Sequence, residues 1–304
     1  MSDITRRQFI GLSVRLAAAM GLGSSAIPRI AEALEDIRSG TVPVLWLQGL
    51  SCSGCSVSLL NSDNPGPLRI LTRYLSVLFH STLSTATGEV GMAIVRNRIE
   101  AGGYCLIAEG SVPRGMPSAC KMGGDYFTDA LLQAAANADS IIAAGACAAN
   151  GGIPGAENSP TGAVSVPEFL KENGITTPVI RIPGCPAHPD WLVGTLVHAL
   201  KFGVPDLDRQ GRPKMFFSRL VHDQCPRFAD YERERFAKTF ADEGCFFKLG
   251  CLGPLTHADC SLRLWNNGIN FCINAGAPCI GCAADDFPQA VSFPLFTKTD
   301  TEEA

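Results

Sequence analysis

Basic charge is scarce in this chain of 304 residues. Its 25 Lys and Arg residues stand against 29 Asp and Glu residues, which gives a net charge of −4. A protein that binds nucleic acid needs a clustered basic face to neutralise phosphates. The composition therefore predicts no nucleic-acid partner.

Long apolar runs and internal repeats are also lacking. Beyond the N-terminal region no apolar run reaches the roughly 20 residues that a membrane-spanning helix needs, so we expect no transmembrane anchor. No segment recurs at a fixed period, which argues against a repeat architecture. Hydrophobic residues make up 46% of the chain, and this share predicts a globular protein with a core.

Cysteine, by contrast, is abundant. The chain has 13 cysteines, with 31 Gly and 20 Pro residues that indicate many loops. In an exported protein many cysteines can form a disulfide framework, but such scaffolds are typically small domains without a core. A chain of this length can bury a core, so metal coordination is the favoured interpretation.

The N-terminus has the pattern of an export signal. Arg6 and Arg7 precede Phe9 and a weakly apolar stretch at 11–26, which Arg15 interrupts. Paired arginines in this context are typical of a twin-arginine signal, whereas the alternative is an ordinary amphipathic helix. This route exports folded proteins, commonly with their cofactors inserted. We predict a twin-arginine signal region at 1–38 and a periplasmic location.

Residues 39–205 alternate strand-like and helix-like segments. Short apolar runs at 42–48, 104–108, 140–145 and 178–182 suit strands that are buried on both faces. Helical patterns occupy 126–138, 166–172 and 191–202, and Pro186 and Pro189 with Asp190 mark the start of the last of these. The alternation predicts an α/β domain with a doubly wound parallel sheet.

The character of the sequence changes after residue 205. Periodicity fades in 206–304, where Cys, Gly, Pro and Asn become frequent. Only two helices are predicted there, at 229–240 and 259–265. We expect a smaller, mostly irregular domain in which embedded clusters supply the missing cross-links.

A first group of cysteines follows the ends of the predicted strands. It consists of Cys52, Cys55, Cys147 and Cys185. The carboxyl ends of parallel strands share one edge of a sheet, so these four residues should converge there. Gly54, Gly145 and Gly184 let the backbone come close to a bulky group. An iron–sulfur cluster at this edge is the prediction.

Two further groups lie in the C-terminal domain. The second group is His222, Cys225, Cys245 and Cys251, and the third group is Cys260, Cys272, Cys279 and Cys282. Zinc suits both groups by local spacing, and so does an iron–sulfur cluster. A relay of clusters has a use in moving electrons, whereas three buried zinc ions have no evident one. Cys105 and Cys120 are left over as structural residues.

These motifs together resemble the small subunit of nickel–iron hydrogenases, from Arg6 to about Phe287. The matching stretches are Thr-Arg-Arg-Gln-Phe at 5–9, Cys-Ser-Gly-Cys at 52–55, Gly-Ala-Cys-Ala-Ala-Asn-Gly-Gly at 145–152, Pro-Gly-Cys-Pro-Ala-His-Pro at 183–189, His-Asp-Gln-Cys-Pro at 222–226, Cys-x5-Cys at 245–251, Trp-Asn-Asn-Gly-Ile-Asn at 265–270 and Pro-Cys-Ile-Gly-Cys at 278–282.

The resemblance implies a flavodoxin-like domain followed by an iron–sulfur domain. It assigns the first group to a proximal cluster, the third to a medial cluster and the second to a distal cluster, in place of zinc. Many family members carry proline where Cys272 stands, and their medial cluster is [3Fe–4S]. A cysteine there resembles the nickel–iron–selenium branch and implies three [4Fe–4S] clusters. Gly54 stands where oxygen-tolerant relatives carry an extra cysteine, so oxygen tolerance by that route is not expected.

The implied function is electron transfer for a hydrogenase, H2 = 2 H+ + 2 e−. The resemblance places the nickel–iron active site in a separate large subunit, so this chain has no catalytic residue of its own, and it makes a multihaem cytochrome c such as cytochrome c3 the expected carrier. Glu89 and Glu109 lie near the predicted cluster edge and are candidates for a proton relay; the alternative is a solvated or structurally paired carboxylate.

Two rivals stay open at this point. One is another electron-transfer subunit, either of the respiratory complex I type or of the coenzyme F420-type hydrogenases, and the export signal and the second group disfavour both. The other is a zinc-stabilised exported binding protein, which a visible spectrum would distinguish.

Overall fold

The chain divides into two compact units, residues 1–215 and 216–304. The computed structural model describes residues 43–62, 66–70, 76–156 and 159–288, together with single positions between 11 and 27. Apart from those positions, the predicted signal region at 1–38 lies outside the described residues.

The first unit contains a five-stranded parallel sheet and two small antiparallel ladders. The strands are, in chain order, β1 (Pro43–Gln48), β2 (Ser76–His80), β3 (Cys105–Glu109), β4 (Val112–Pro113), β5 (Lys121–Met122), β6 (Asp125–Tyr126), β7 (Ser140–Ala144), β8 (Ala163–Val164) and β9 (Val179–Ile182).

The order across the parallel sheet is β2-β1-β3-β7-β9. Counted within this sheet alone, it is the 2-1-3-4-5 order of flavodoxin-like folds. The four predicted strands are confirmed and pair in parallel. The edge strand β2 was not predicted, because only its last two residues are buried and its apolar run, at 77–79, is only three residues long.

Helices of the first unit cover both faces of this sheet. Across the described residues of both units, the helices are α1 (Gly54–Leu60), α2 (Pro67–Arg69), α3 (Gly88–Ala101), α4 (Phe127–Asn137), α5 (Gly145–Asn150), α6 (Val166–Glu172), α7 (Pro189–Phe202), α8 (Lys214–Phe217), α9 (Phe228–Glu232) and α10 (Cys260–Arg263). Short 3₁₀ turns lie at Pro117–Ala119, Ile153–Gly155, His222–Gln224, Phe247–Leu249 and Gly253–Leu255.

The main core lies between one face of the sheet and the helices α3, α4 and α6. Alternate residues of β1, such as Leu45 and Leu47, point into it, where they meet Val95 of α3 and Leu131 of α4. Successive side chains of a strand point to opposite faces, so the intervening Trp46 is buried on the other side. Burial on both faces explains why these strands are continuous apolar runs.

Helix α7 begins at Pro189, as the sequence predicts. Proline lacks the N–H that would have no acceptor at this first position. His188 precedes it as the N-cap, and its Nδ1 accepts the backbone N–H of Asp190 at 3.1 Å.

The residues after α7 stay with the first unit up to Met215. Gly211 O accepts the backbone N–H of Arg181 in β9 at 2.8 Å, and Leu207 pairs with Pro213. Residues 206–215, which the sequence analysis groups with the second domain, therefore extend the edge of the sheet domain.

The second unit is short of regular structure. The helix predicted at 229–240 is wrong in its extent, since α9 ends at Glu232. The chain then pairs with the Cys245 segment, where Cys245 N–H donates to Arg235 O at 2.8 Å and Ala237 N–H donates to Cys245 O at 3.0 Å. The helix predicted at 259–265 is likewise reduced to Cys260–Arg263.

Within the part of the chain that the structure describes, none of the helices combines the length and apolar character that a membrane crossing needs.

Candidate metal centres

The first group lies at the carboxyl edge of the parallel sheet. Cys52 and Cys55 follow β1, Cys147 lies in the first turn of α5 after β7, and Cys185 follows β9. Each of the four thiols is within electrostatic reach of at least two others. Cys52 and Cys185 both act on the thiol of Cys147, Cys147 and Cys185 both act on that of Cys55, and Cys52 acts on that of Cys185. The predicted convergence at this edge is thus present.

Glycines leave room for a bulky group beside these thiols. A Cβ at Gly145, where φ is +85°, would overlap with Cys55 Sγ, and a Cβ at Gly54 would stand 3.0 Å from Cys52 Sγ. Sequence reasoning missed Gly152, where a Cβ would stand 2.9 Å from Cys147 Sγ. Side chains at these positions would close the space around the sulfurs.

Burial keeps the thiols of Cys55, Cys147 and Cys185 protonated in the metal-free chain. It raises the pKa of Cys55 well above its usual range, and the Glu109 carboxylate raises it further. Burial is also the main cause that raises the pKa of Cys147 to about 12, and the Cys185 thiol is the second cause. The pKa of Cys185 is raised by burial first and by the Cys52 thiol second. Metal ligation replaces these protons, so loading of this site releases them.

Glu109 is the last residue of β3 and lies between the cysteine-bearing strand ends. Its side chain is 1% exposed. Its carboxylate accepts six hydrogen bonds, from the backbone N–H groups of Cys55 (3.0 Å) and Ser56 (3.3 Å), the hydroxyls of Ser51 (3.2 Å) and Ser56 (2.5 Å), Trp46 Nε1 (3.0 Å) and Gln48 Nε2 (3.0 Å). Hydrogen bonds to the charged form stabilise a buried carboxylate.

Ser56 and His80 extend this network and were missed from sequence. His80 Nδ1 accepts the backbone N–H groups of Thr82 and Leu83, so the ring proton lies on Nε2, which donates to Ser56 Oγ at 3.0 Å. Burial lowers the pKa of His80, against the opposing effect of Glu109. His80 ends β2 at the same sheet edge, so recognition of β2 as a strand would have indicated it.

The structure places Glu89 differently from Glu109. Glu89 lies in the first turn of α3, where its side chain is 79% exposed and pairs with Arg96. None of the hydrogen bonds described for Glu89 reaches a thiol of the first group.

The four side chains of the second group line one cavity. His222, Cys225, Cys245 and Cys251 line one small pocket, together with Phe246 and other side chains of the second unit. Backbone N–H groups point at the sulfurs, from Arg227 to Cys225 Sγ and from Phe247 to Cys245 Sγ, each at 3.4 Å. Such donors stabilise negative charge on ligating sulfurs.

Aromatic rings enclose the imidazole of this group. The rings of Phe228 and Tyr231 meet His222 edge to face at 5.1 and 4.5 Å between centroids. Burial lowers the pKa of His222, against the opposing effect of Asp223. A neutral imidazole is the form that ligates metals.

The third group also converges. Burial raises the pKa of Cys260 well above its usual range, and the thiols of Cys282, Cys279 and Cys272 add to this. Cys279 is buried, whereas Cys272 is exposed. Gly281 N–H donates to Cys279 Sγ at 3.5 Å, which repeats the pattern of the second group.

The donor sets of the three groups can be compared with the needs of an iron–sulfur cluster. The four ligands of a [4Fe–4S] cluster bind separate irons, and thiolates are its usual ligands. The thiol-rich donor sets, the glycine cradle and the amide donors therefore fit iron–sulfur clusters.

The two remaining cysteines belong to none of the three groups. Cys105 is buried within β3, and Cys120 packs against the main core. Both positions agree with the structural role expected for them.

Two sequence families match the chain. Residues 52–199 match the family described as NADH ubiquinone oxidoreductase, 20 Kd subunit, and residues 217–294 match the family that describes the C-terminal part of the NiFe/NiFeSe hydrogenase small subunit. Both descriptions name parts of redox enzymes, so the class of protein is that of an oxidoreductase subunit.

Individual relatives narrow this class. The periplasmic [NiFeSe] hydrogenase small subunit of Desulfomicrobium baculatum is 38% identical over 95% of this chain and 98% of the relative. The periplasmic [NiFe] hydrogenase small subunit of Solidesulfovibrio fructosivorans is 37% identical over 94% and 91%. The solved [NiFeSe] hydrogenase of Desulfovibrio vulgaris Hildenborough is 44% identical with a TM-score of 0.81, covering 84% of this chain and 97% of that one. The chain belongs to the family of NiFe/NiFeSe hydrogenase small subunits.

Proposed function

We propose that the chain is the electron-transfer subunit of a periplasmic hydrogenase and holds three [4Fe–4S] clusters. The first group would hold the proximal cluster, the third the medial cluster and the second the distal cluster. When bound, the clusters supply one-electron redox steps between a nickel–iron centre in a large subunit and an external carrier. The observation that carries this proposal is the convergence of three donor sets, each with four ligands, in a chain of this family.

The residues around each group would set the reduction potential of the cluster that the group holds. In the first group, the buried Glu109 carboxylate places a negative charge beside Cys55, and this charge would disfavour the reduced, more negative state of a cluster there. In the second group, the neutral imidazole of His222 replaces a thiolate and removes one negative charge, which favours the reduced state. The rings of Phe228 and Tyr231 pack against this imidazole and would help to fix its orientation.

Glu109 and Glu89 are both proposed as candidates for a proton relay, and the hydrogen bonds of Glu109 support this role better than those of Glu89. Glu109 is joined through the Ser56 hydroxyl to His80, a chain of groups that each carry or accept a proton. Glu89 is exposed and paired with Arg96, so its carboxylate would exchange protons with solvent.

The names of the relatives support the proposed partners and location. Their names describe periplasmic small subunits, which pair with a large subunit that would carry the nickel–iron or nickel–iron–selenium centre. We propose export by a twin-arginine signal at 1–38 and a multihaem cytochrome c such as cytochrome c3 as the electron carrier.

Metal analysis of the purified heterodimer tests this proposal. Three four-iron clusters require about 12 iron atoms in this chain, with a broad visible absorption that dithionite bleaches. The iron of the active site is counted separately by also analysing the isolated large subunit. A colourless small subunit, or one that contains zinc in place of iron, would reject the proposal.

A further inference from the structure

Thr256 lies between the second and third groups and belongs to neither. Its side chain is 2% exposed. The Thr256 hydroxyl donates to Leu252 O at 2.7 Å. Cys279 Sγ lies 3.7 Å from the hydroxyl oxygen, Thr256 Oγ1. The Thr256 carbonyl accepts the backbone N–H of Val221, the neighbour of His222, at 2.8 Å. One buried threonine thus contacts segments that carry ligands of both groups.

The two groups are also joined directly at this point. Cys279 N–H of the third group donates to Cys251 Sγ of the second group at 3.4 Å. Leu252 N–H returns a hydrogen bond to Cys279 O at 2.8 Å. Since the Thr256 hydroxyl donates to Leu252 O, it positions the segment beside Cys251 that contacts Cys279.

Ligation of Cys279 changes the sulfur beside the Thr256 hydroxyl from a hydrogen-bond donor to an acceptor. In the metal-free chain the Cys279 thiol carries a proton that it can donate to Thr256 Oγ1. A ligating thiolate has lost that proton, so the hydroxyl hydrogen becomes the only one available between the two atoms. Leu252 O also accepts the Leu255 N–H at 3.1 Å, so it keeps a partner if the hydroxyl hydrogen turns toward sulfur. A three-centre bond that serves both acceptors is then favourable.

We propose that Thr256 is a positioning residue whose hydroxyl donates to the ligating sulfur of Cys279 and raises the reduction potential of the cluster in the third group. This inference rests on the proposed function. A hydrogen bond to a ligand sulfur stabilises the more negative, reduced state. One electron enters or leaves in this change, and Thr256 keeps its proton.

Redox titration of the heterodimer, followed by EPR, tests the proposal. Thr256→Val keeps the shape of the side chain and removes the hydroxyl, so the third-group potential should shift to a more negative value. Thr256→Ser retains the hydroxyl and should stay near the wild-type potential. The second-group cluster, whose sulfur Cys251 receives a backbone amide instead, should keep its potential in both variants.

Several outcomes would overturn the inference. These are an unchanged third-group potential in Thr256→Val, an equal shift in Thr256→Ser, or an equal shift of both clusters. If the Val variant does not load iron, Thr256→Ala, which adds no new contact atom, is measured in its place and judged in the same way. Absence of iron in the wild-type small subunit rejects the proposed function instead, so the two failures are distinguishable.

Discussion

The carboxylate of Glu109 accepts the backbone N–H of Cys55 at 3.0 Å, so a residue of β3 caps the helix that carries a ligand of the first group. The first amides of a helix have no acceptor within it. The N-cap residue of α1, Ser53, makes no side-chain cap bond, and Glu109 takes its place for Cys55 and Ser56. A negative charge at a helix N-terminus is also favourable.

Replacing Glu109 with alanine should destabilise the first group. Six donors lose their acceptor, and buried donors left unsatisfied cost at least about 2 kcal/mol in the free energy of unfolding. We expect a lower melting temperature and a loss of about four iron atoms per chain, with the other two clusters retained. Glu89→Ala is the matched control, since this exposed residue should change stability by less than about 0.5 kcal/mol. Wild-type iron content in Glu109→Ala would contradict the capping role.

His80 should make the protein sensitive to mild acid. Burial lowers its pKa in the folded chain, while the unfolded chain binds the proton near the ordinary value of 6.5. Below that pH the unfolded state holds more protons, so stability falls as the pH falls, by at most about 1.4 kcal/mol per pH unit. The melting temperature of His80→Gln should therefore decline less than that of the wild type from pH 7 to pH 5. Parallel curves for the two proteins would exclude this role of His80, and His198→Gln controls for the loss of a histidine.

The parallel sheet could be predicted because its inner strands are buried on both faces. Such strands are continuous apolar runs, as in Val44 to Leu47, and strand-end geometry then places Cys52, Cys147 and Cys185 at one edge. The same reasoning could not separate Glu109 from Glu89. Both are carboxylates near that edge, and only the packing of Trp46 and Ser56 around one of them shows which is buried.

The C-terminal unit was less accessible to sequence reasoning. Its helices are short because backbone groups pair with ligand-bearing segments, as Cys245 does with Arg235 and Ala237, instead of continuing a helix. Local propensity carries no information about such pairings. The ligand spacing itself could be predicted, whereas Thr256 could not, because a lone threonine has no distinguishing pattern.

Cys105 should weaken the fold at alkaline pH. Burial raises its pKa from 9.0 to about 11, so the folded chain keeps the proton that the unfolded chain loses. The folded state then holds more protons above pH 9, and stability falls as the pH rises, by about 1.4 kcal/mol per pH unit up to the folded pKa. Cys105→Val removes the thiol, so its melting temperature relative to the wild type should improve between pH 8 and pH 10.5. A constant difference across this range would refute the prediction.

Cys272 should decide whether the third group binds four irons or three. Its thiol acts on Cys260 together with Cys279 and Cys282, which places it within reach of the same centre. Its carbonyl accepts the Ala277 N–H at 2.9 Å, and among the described backbone hydrogen bonds its own amide donates to no carbonyl, so proline removes no backbone bond there. Cys272→Pro should therefore fold, lose about one iron atom per chain and give an oxidised [3Fe–4S] EPR signal that the wild type lacks. Cys120→Ala, which removes a thiol outside the three groups, should leave iron and spectra unchanged. If Cys272→Pro also leaves both unchanged, Cys272 is not a ligand, and the proposed count of three four-iron clusters fails with it.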